Sequence, residues 1–150
     1  TEEYGITSFT YRARKPFHPQ RFWDFSQGQW SGVIRAKGFF WLATRSALVG
    51  ELSQAGRVRD QRPAGYWWAA LPEHRWPEDS RQQERILDRW DDTYGDRRQE
   101  LVFIGIDVDE AGLRRRLDAC LMMEEEIDAY HEAPSSLSDP FPDWPVERVA

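Results

Sequence analysis

The sequence has only one cysteine, Cys120, among its 150 residues. A single thiol cannot form a disulfide within the chain, which is typical of a protein from a reducing compartment. No apolar run approaches the roughly 18 residues that a membrane-spanning helix needs. The first residues, TEEY, lack the basic and apolar parts of a signal peptide. These absences predict a cytoplasmic protein that does not cross a membrane.

The sequence also lacks the common catalytic and nucleotide-binding motifs. It contains no G-x-x-x-x-G-K-[ST] phosphate loop, no G-x-G-x-x-G, no G-x-S-x-G and no H-E-x-x-H. Cys120 falls on the apolar face of a predicted helix, far along the chain from the histidines, so we expect a buried structural thiol. His18, His74 and His131 form no pair at helical spacing, and no zinc site with Cys120 or Glu124–Glu126 is predicted. We expect no catalytic, cofactor-binding or metal-binding residue here.

The composition is that of one globular domain. Apolar residues make up 40% of the chain and charged residues 31%, which is the balance of a folded protein. A chain of 150 residues is long enough for a single hydrophobic core. We divide it into a domain at residues 1–132 and a tail at residues 133–150. The tail is rich in proline and serine, so we expect it to be irregular and to lie along the surface or be partly disordered.

Hydrophobic periodicity predicts alternating strands and helices. The predicted strands are residues 6–13, 33–44, 48–53, 57–61, 66–70 and 101–106, and the predicted helices are residues 19–28, 77–90 and a segment that starts after Asp109. The strands predicted at residues 48–53 and 57–61 pair as a hairpin across Ala55-Gly56. This order predicts an α+β fold, with a mostly antiparallel sheet, helices on one face and a ferredoxin-like core with extra strands.

The first predicted helix has a well-defined start. Pro19 suits the first helical position, and His18 stands directly before it at the N-cap. Phe17 and Phe22 are placed to form a hydrophobic staple across this start. We therefore predict a structural role for His18 at the helix start and not a metal-ligand role.

The predicted strand at residues 33–44 suggests a docking face. Strand alternation sends Ile34, Ala36, Phe40 and Leu42 to the core, and the side chains that alternate with them to the other side of the sheet. Gly38 in the middle of the strand indicates a bulge or a close backbone approach. If no helix of the same domain covers the second side, it would present an interaction surface. The residues of this candidate docking face are Arg35, Lys37, Gly38, Phe39 and Trp41.

Nucleic acid or a small anion is the alternative ligand for this surface. Aromatic side chains beside basic ones on a sheet are the ingredients of a base-stacking platform, and this chain offers Phe39, Trp41, Tyr66, Trp67 and Trp68. However, no RNP1 pattern is present, and the acidic isoelectric point of about 5.1 opposes affinity for phosphate. We therefore expect a protein partner in preference to nucleic acid.

Five separated segments resemble the C-terminal domain of the CobW family of metal-chaperone GTPases. They are YRARKPFHP at 11–19 followed by RF at 21–22, RAKGFFWLA at 35–43, WWA at 67–69, GDRRQELVFIGID at 95–107, and DPFP at 139–142. The resemblance covers nearly the whole chain, from about residue 5 to residue 144, and the segments occur in the family's order.

The resemblance implies an accessory domain and not an enzyme. Members of the family are P-loop GTPases that deliver metals such as zinc or cobalt, and their phosphate loop and C-x-C-C metal motif lie in an N-terminal GTPase domain. Neither motif is in this sequence, so GTP, magnesium and the transition metal are implied only for the parent protein. The implied partners are that GTPase domain, a metalloprotein client or a second copy. The segment at 35–43 carries over Arg35, Lys37 and Gly38, and the segment at 11–19 carries over His18, for which the resemblance implies a structural or interdomain role.

Overall fold

The structure, a computed structural model, describes residues 2–145. Its strands and helices run along the chain as β1 (Glu2–Glu3), β2 (Ile6–Ala13), α1 (Pro19–Gln27), β3 (Val33–Phe40), β4 (Leu48–Ala55), β5 (Val58–Tyr66), α2 (Ser80–Asp88), β6 (Gln99–Ile106), α3 (Glu110–Asp118) and α4 (Glu124–Glu132). Short 3-10 turns lie at Ala43–Arg45, Trp68–Ala70, Glu73–Arg75 and Pro134–Ser136. No helix within residues 2–145 is long and apolar enough to cross a membrane.

The strands form one antiparallel sheet in the order β1-β2-β6-β3-β4-β5. β2 and β3 are joined through α1 and lie on either side of β6, which is the split β-α-β arrangement of ferredoxin-like folds. β1 and the β4-β5 hairpin provide the extra strands. The predicted α+β class with a mostly antiparallel sheet is therefore confirmed.

One side of the sheet, called the covered face below, packs against α1 and α3. Phe22 of α1 and Phe40 of β3 are both fully buried, and their ring centroids lie 4.8 Å apart. Phe9 and Phe103 stack on the neighbouring strands at 5.2 Å, and Leu117 of α3 joins the same cluster. Each large apolar side chain buried in this way stabilises the fold by about 1.5 to 3 kcal/mol.

α1 begins as the sequence predicts. His18 is the N-cap residue, and its Nδ1 accepts a hydrogen bond from the backbone N–H of Arg21 at 3.4 Å. Pro19 is the first helical residue. The rings of Phe17 and Phe22 stack with their centroids 4.4 Å apart. The predicted N-cap and hydrophobic staple are both confirmed.

β3 departs from its predicted alternation at Ile34. The pairing of β3 with β6 shifts register between Val33 and Arg35, so Ile34 is the extra residue of a β-bulge. Its side chain is 52% exposed, whereas the sequence pattern assigned it to the core. The remaining core assignments of the strand, Ala36, Phe40 and Leu42, are confirmed.

The chain between β5 and β6 also differs from the sequence prediction. The strand predicted at residues 66–70 is absent from the described residues, because β5 ends at Tyr66 and a 3-10 turn follows. The backbone N–H groups of Trp68 and Ala69 donate to the carboxylate of Asp96 at 2.9 and 2.8 Å, which satisfies them without a neighbouring strand. The helix predicted at residues 77–90 is the shorter α2, which begins after the N-cap residue Asp79.

The chain after β6 contains two helices where the sequence suggested one. Asp109 is the predicted N-cap of α3, and its carboxylate accepts a hydrogen bond from the Gly112 N–H at 3.0 Å. α3 ends at Asp118, so Cys120 lies just beyond the helix, although it is buried as expected. α4 was not predicted as a separate helix. The side chain of Ile127 in α4 packs with Ala43 and Met122 in a second, small apolar cluster.

The described part of the tail is irregular as predicted, with only the 3-10 turn at Pro134–Ser136, but two of its side chains are anchored in the core and do not lie along the surface. Phe141 and Trp144 are buried against α1 and β3. Arg45 holds this segment: its guanidinium makes hydrogen bonds of 2.9 and 3.1 Å to the two carboxylate oxygens of Asp139. It also donates to the carbonyl oxygens of Phe141 and Pro142 at 2.8 and 2.7 Å. Residues 146–150 of the predicted tail lie outside the described residues.

Candidate docking face of the sheet

The side of the sheet opposite the covered face is called the open face below. The register pairs Arg35 with Ile104, Lys37 with Val102 and Phe39 with Glu100, and paired residues of an antiparallel sheet point to the same side. α2 borders this face, since its Ile86 lines the same hollow as Phe39. Large apolar side chains remain solvent-exposed on the face: Ile6, Phe39 and Ile106.

The structure brings most of the predicted docking residues together on the open face. Arg35, Lys37 and Phe39 alternate along β3 with their side chains exposed, and Phe39 is 39% exposed. The sequence left open whether a helix of the same domain covers this side of β3. No helix within the described residues covers these three side chains. They lie beside the apolar surface of β6 at Val102 and Ile104.

Trp41 is the exception and does not belong to the open face. It is only 3% exposed, because β3 ends at Phe40 and the chain turns into the 3-10 segment beyond it. The backbone N–H of Trp41 donates to Oε1 of Gln99 at 2.9 Å, and its indole Nε1 donates to Oγ of Ser46 at 3.1 Å. Its ring packs edge-on against Tyr94 at 5.0 Å. The predicted alternation fails here because the strand is shorter than the apolar run.

Gly38 contributes backbone geometry to the open face. Its φ of +154° lies outside the usual range for residues with a side chain, and a Cβ atom there would lie 2.1 Å from the carbonyl oxygen of Glu100. The predicted close backbone approach is therefore confirmed, between β3 and β6, while the bulge lies at Ile34. Only glycine allows the two strands to pair at this point.

Two adjoining hollows lie on the open face. The central hollow, of about 440 Å³, lies over Gly38 and is bounded by Arg35, Lys37, Glu51, Glu100, Val102 and Ile104. The α2 hollow, of about 380 Å³, lies between the sheet and α2 and is bounded by Val49, Tyr66, Trp68, Arg85, Ile86, Arg89 and Arg98. Phe39 lines both hollows and separates them. Both combine apolar surface with charged groups, which is typical of binding surfaces.

The cations around these hollows are mostly uncompensated. The structure gives the side chains of Arg35, Lys37, Arg85 and Arg89 no hydrogen bond or ion pair with any residue in the range 2–145. Glu100, in contrast, is 3.4 Å from both Arg12 and Arg98. The open face therefore presents positive charge that no residue of the described chain neutralises.

His18 and Cys120 have structural environments away from these hollows. Burial, followed by the positive charge of Arg21, lowers the pKa of His18, so its imidazole is suited to accept a hydrogen bond as a helix cap. Burial raises the pKa of the Cys120 thiol to about 12, which makes it a poor nucleophile and metal ligand. Across residues 2–145, no group of three or more His, Cys, Asp or Glu side chains is arranged to hold a metal ion.

Arg85 and Arg89 are functional candidates that the sequence reasoning did not identify. They lie in the α2 segment, more than forty residues from Phe39 along the chain, and only the fold places them beside it. The available signal was the pair of arginines four residues apart on a helix with the single buried residue Ile86. That pattern alone is typical of any solvated helix face.

The architecture defines a class: an α+β domain whose antiparallel sheet is packed with helices on one face and is bordered by α2 on the other, largely open face. The model of the cobalamin synthesis protein CobW C-terminal domain matches residues 6–121. The chain belongs to the CobW C-terminal domain family. The family resemblance is thereby confirmed; the matched range contains four of the five segments, and the segment at 139–142 lies beyond it.

Comparisons with individual proteins agree with this family. The chain is 39% identical over 131 residues to zinc-regulated GTPase metalloprotein activator 1 of Dictyostelium discoideum, covering 85% of this chain and 27% of that protein. It is 32% identical over 143 residues to a zinc chaperone of Mycobacterium tuberculosis, and the match covers 95% of this chain and 35% of that protein. The Zn(II)-bound YjiA GTPase of E. coli shares the fold, with a TM-score of 0.53 and 14% identity. The match covers 79% of this chain and 30% of that protein. The chain thus spans about a quarter to a third of these proteins.

Proposed function

We propose that this chain is the non-catalytic accessory domain of a metal-chaperone GTPase and that it docks through its open face onto the GTPase domain. Family membership supports the accessory role, because the relatives are named as a GTPase metalloprotein activator and a zinc chaperone. GTP, magnesium and a transition metal such as zinc or cobalt would bind elsewhere in the parent protein. The cytoplasmic location stays a prediction from the sequence.

The observation that carries the docking proposal is that the open face exposes apolar side chains next to cationic side chains that have no ionic partner among the described residues. Phe39 exposes apolar surface at one end of the open face and the paired Ile6 and Ile106 at the other, with the half-buried Val102 and Ile104 between them along β6. Apolar surface of this extent usually marks an interaction site. Arg35 and Lys37 stand beside them without an ionic partner in the described range. A protein partner with apolar and acidic groups would bury the exposed apolar side chains and neutralise Arg35 and Lys37.

The same surface has two further candidate partners within the proposed role. A metalloprotein client or a second copy of the chain would use the same apolar and basic groups. Nucleic acid is disfavoured because the chain has a formal charge of −6, which repels a polyanion. Trp41 and Trp67, two aromatics that favoured base stacking in the sequence, are buried and offer no ring face to a base.

The test is binding of the chain to the separately expressed GTPase domain of its parent protein, measured by calorimetry. Lys37→Glu should weaken binding at least about tenfold, since it reverses a charge at the centre of the face. Arg115→Glu is the matched control, because Arg115 is exposed on α3, on the opposite side of the sheet. Equal binding by both variants would contradict docking through the open face.

Catalytic inactivity is the second part of the proposal. The chain should neither bind nor hydrolyse GTP, because it contains no phosphate loop. Calorimetry with GTP and magnesium tests this directly. Saturable binding in the micromolar range would contradict it.

A further inference from the structure

The α2 hollow has an apolar floor and a basic rim. Phe39, Val49, Tyr66, Trp68 and Ile86 supply aromatic and aliphatic surface, and Arg85, Arg89 and Arg98 stand around it. Asp96 is the one acidic side chain in the lining. Its two carboxylate oxygens already accept the backbone N–H groups of Trp68 and Ala69, so Asp96 is held in place by the turn.

The three arginines of the rim are not equivalent. Arg98 is engaged, since it donates to the carbonyl oxygen of Asp96 at 2.9 Å and is 3.4 Å from Glu100. Arg85 and Arg89 are exposed on α2, and no group in residues 2–145 pairs with either guanidinium. The hollow therefore offers two free cations directly beside apolar surface, on a chain whose overall charge is negative.

We infer that the α2 hollow binds an acidic segment of a partner polypeptide, in which carboxylates at alternate positions flank a large apolar side chain. This inference rests on the proposed docking role and names the chemistry of what docks. Arg85 lies in the last turn of α2 and Arg89 is the C-cap residue four positions later, so their Cβ atoms are about 5 to 6 Å apart, as helical neighbours are. Alternate side chains of an extended strand are about 6.6 Å apart. Two carboxylates at that spacing meet both guanidiniums. The apolar side chain between them points to the opposite side of the strand, toward Phe39, which lines the sheet side of the same hollow.

A polypeptide fits these observations better than a nucleotide or a phosphate ion. Phosphate sites in proteins are built from backbone N–H groups at helix N-termini or glycine-rich turns, whereas the cations here are side chains near the C-terminal end of α2. Guanidinium groups bind carboxylate and phosphate alike in a planar, two-bond geometry, so the apolar floor decides between the two ligands. The apolar floor also needs an apolar counterpart, which an inorganic anion lacks.

The experiment uses the 150-residue chain and a fluorescein-labelled peptide, GEFELEFG, with binding followed by fluorescence anisotropy. We expect saturable binding that weakens as NaCl is raised from about 50 to about 500 mM. A lysine peptide, GKFKLKFG, and a peptide without apolar side chains, GESESESG, should each bind at least about tenfold more weakly. Equal binding of the lysine peptide, or no binding of GEFELEFG, would overturn the inference.

Variants assign the binding to the hollow. Arg85→Glu and, separately, Arg89→Glu should each lower the affinity of the chain for GEFELEFG at least about tenfold. Arg115→Glu is the matched control, because Arg115 stands in the last turn of α3 as Arg85 stands in the last turn of α2, and it should change affinity less than about twofold. Urea midpoints equal to that of the unmodified chain establish that all three variants fold. If inorganic phosphate displaces the peptide at micromolar concentration, the site is an anion site and the inference fails.

The outcome separates this inference from the docking proposal. Arginine-dependent peptide binding without any binding of the GTPase domain would leave the acidic-segment site in place and overturn the choice of docking partner. Binding of the GTPase domain that Lys37→Glu abolishes and Arg85→Glu leaves unchanged would keep the docking face and overturn the acidic-segment site.

Discussion

The two faces of the sheet differ most clearly at two neighbouring residues of β3. Phe40 is fully buried on the covered face, where it contacts Phe22, Phe141 and Trp144. Phe39 is 39% exposed on the open face, between two hollows. One apolar residue type, at adjacent positions of one strand, thus serves the core on one side and the proposed docking surface on the other. Apolar character alone does not distinguish these roles; the register of the sheet does.

The charged groups follow the same division. Near the covered face, Arg45 is engaged with Asp139, with two tail carbonyls and with the ring of Trp144 at 4.6 Å. On the open face, Arg35 and Lys37 have no ionic partner in residues 2–145. Arginines that hold the fold together and arginines that are available for binding look alike in the sequence, and only their partners in the structure separate them.

The largest difference should come from removing the two phenyl rings. Phe40→Ala should lower the free energy of unfolding by about 3 to 5 kcal/mol, since it leaves a cavity in a packed core. Phe39→Ala should lower it by about 1 kcal/mol, since its ring is partly in water already. Urea unfolding followed by tryptophan fluorescence measures both. Similar losses in the two variants would remove the basis for distinguishing the faces.

Gly38→Ala should have the next largest effect. The added Cβ would meet the backbone of Glu100 and force an unfavourable φ, so we expect a loss of about 3 kcal/mol in unfolding free energy. Gly56→Ala provides the comparison, because its φ is +60° but no atom lies within 4 Å of the added Cβ; the loss there should be about 1 kcal/mol. If Gly38→Ala is the milder change, β3 and β6 do not approach closely.

Acid should weaken the tail anchor on the covered face. Burial raises the pKa of Asp139, but the hydrogen bonds from Arg45, Thr44 and the Phe141 N–H outweigh it and lower the pKa below its ordinary value. The carboxylate therefore stabilises the folded state fully above about pH 4, and this contribution is lost as the pH falls further. Asp139→Asn should cost about 1 to 2 kcal/mol at pH 6.

The pH dependence is the control for that interpretation. The difference in unfolding free energy between the unmodified chain and Asp139→Asn should shrink as the pH falls from about 5 to about 2. A difference that stays constant over this range would mean that the Asp139 charge does not anchor the tail.

The smallest effect on stability belongs to the open face. Lys37→Glu should change the unfolding free energy by no more than about 0.5 kcal/mol, because the ammonium group is exposed and has no ionic partner within the described chain. Thermal or urea unfolding of this variant measures the change. A loss above about 2 kcal/mol would show that Lys37 supports the fold, and its effect on docking would then have no separate meaning.

The sequence predicts the features that depend on local pattern. The start of α1 at His18 and Pro19 and the β4-β5 hairpin follow from capping and turn chemistry. The position of β6 inside the sheet follows from its continuous apolar run. The cover on both faces that such a run also indicates is wrong, because Ile106 is 52% exposed on the open face. The open-face positions of Arg35, Lys37 and Phe39 follow from strand alternation up to the point where β3 ends.

The sequence does not predict features that depend on distant contacts. Trp41 is buried by Gln99 and Tyr94, which come more than fifty residues later. The tail is irregular as its proline-rich composition indicates, but Phe141 and Trp144 are buried in the core and Arg45 holds the segment there, which the composition does not predict. Arg85 and Arg89 reach the site of Phe39 only through the placement of α2. Tertiary contacts decide each of these cases against the local pattern.

Hydroxyl-radical footprinting of the chain, alone and with the GTPase domain of its parent protein, tests the central claim most directly. Phe39 on the open face and Met123, 55% exposed before α4, are both oxidisable and serve as an internal pair. If the open face is the docking surface, the GTPase domain should reduce oxidation of Phe39 at least about threefold, since a buried ring is shielded from solvent, and leave Met123 unchanged. Protection of Met123 with unchanged oxidation of Phe39 would contradict the account.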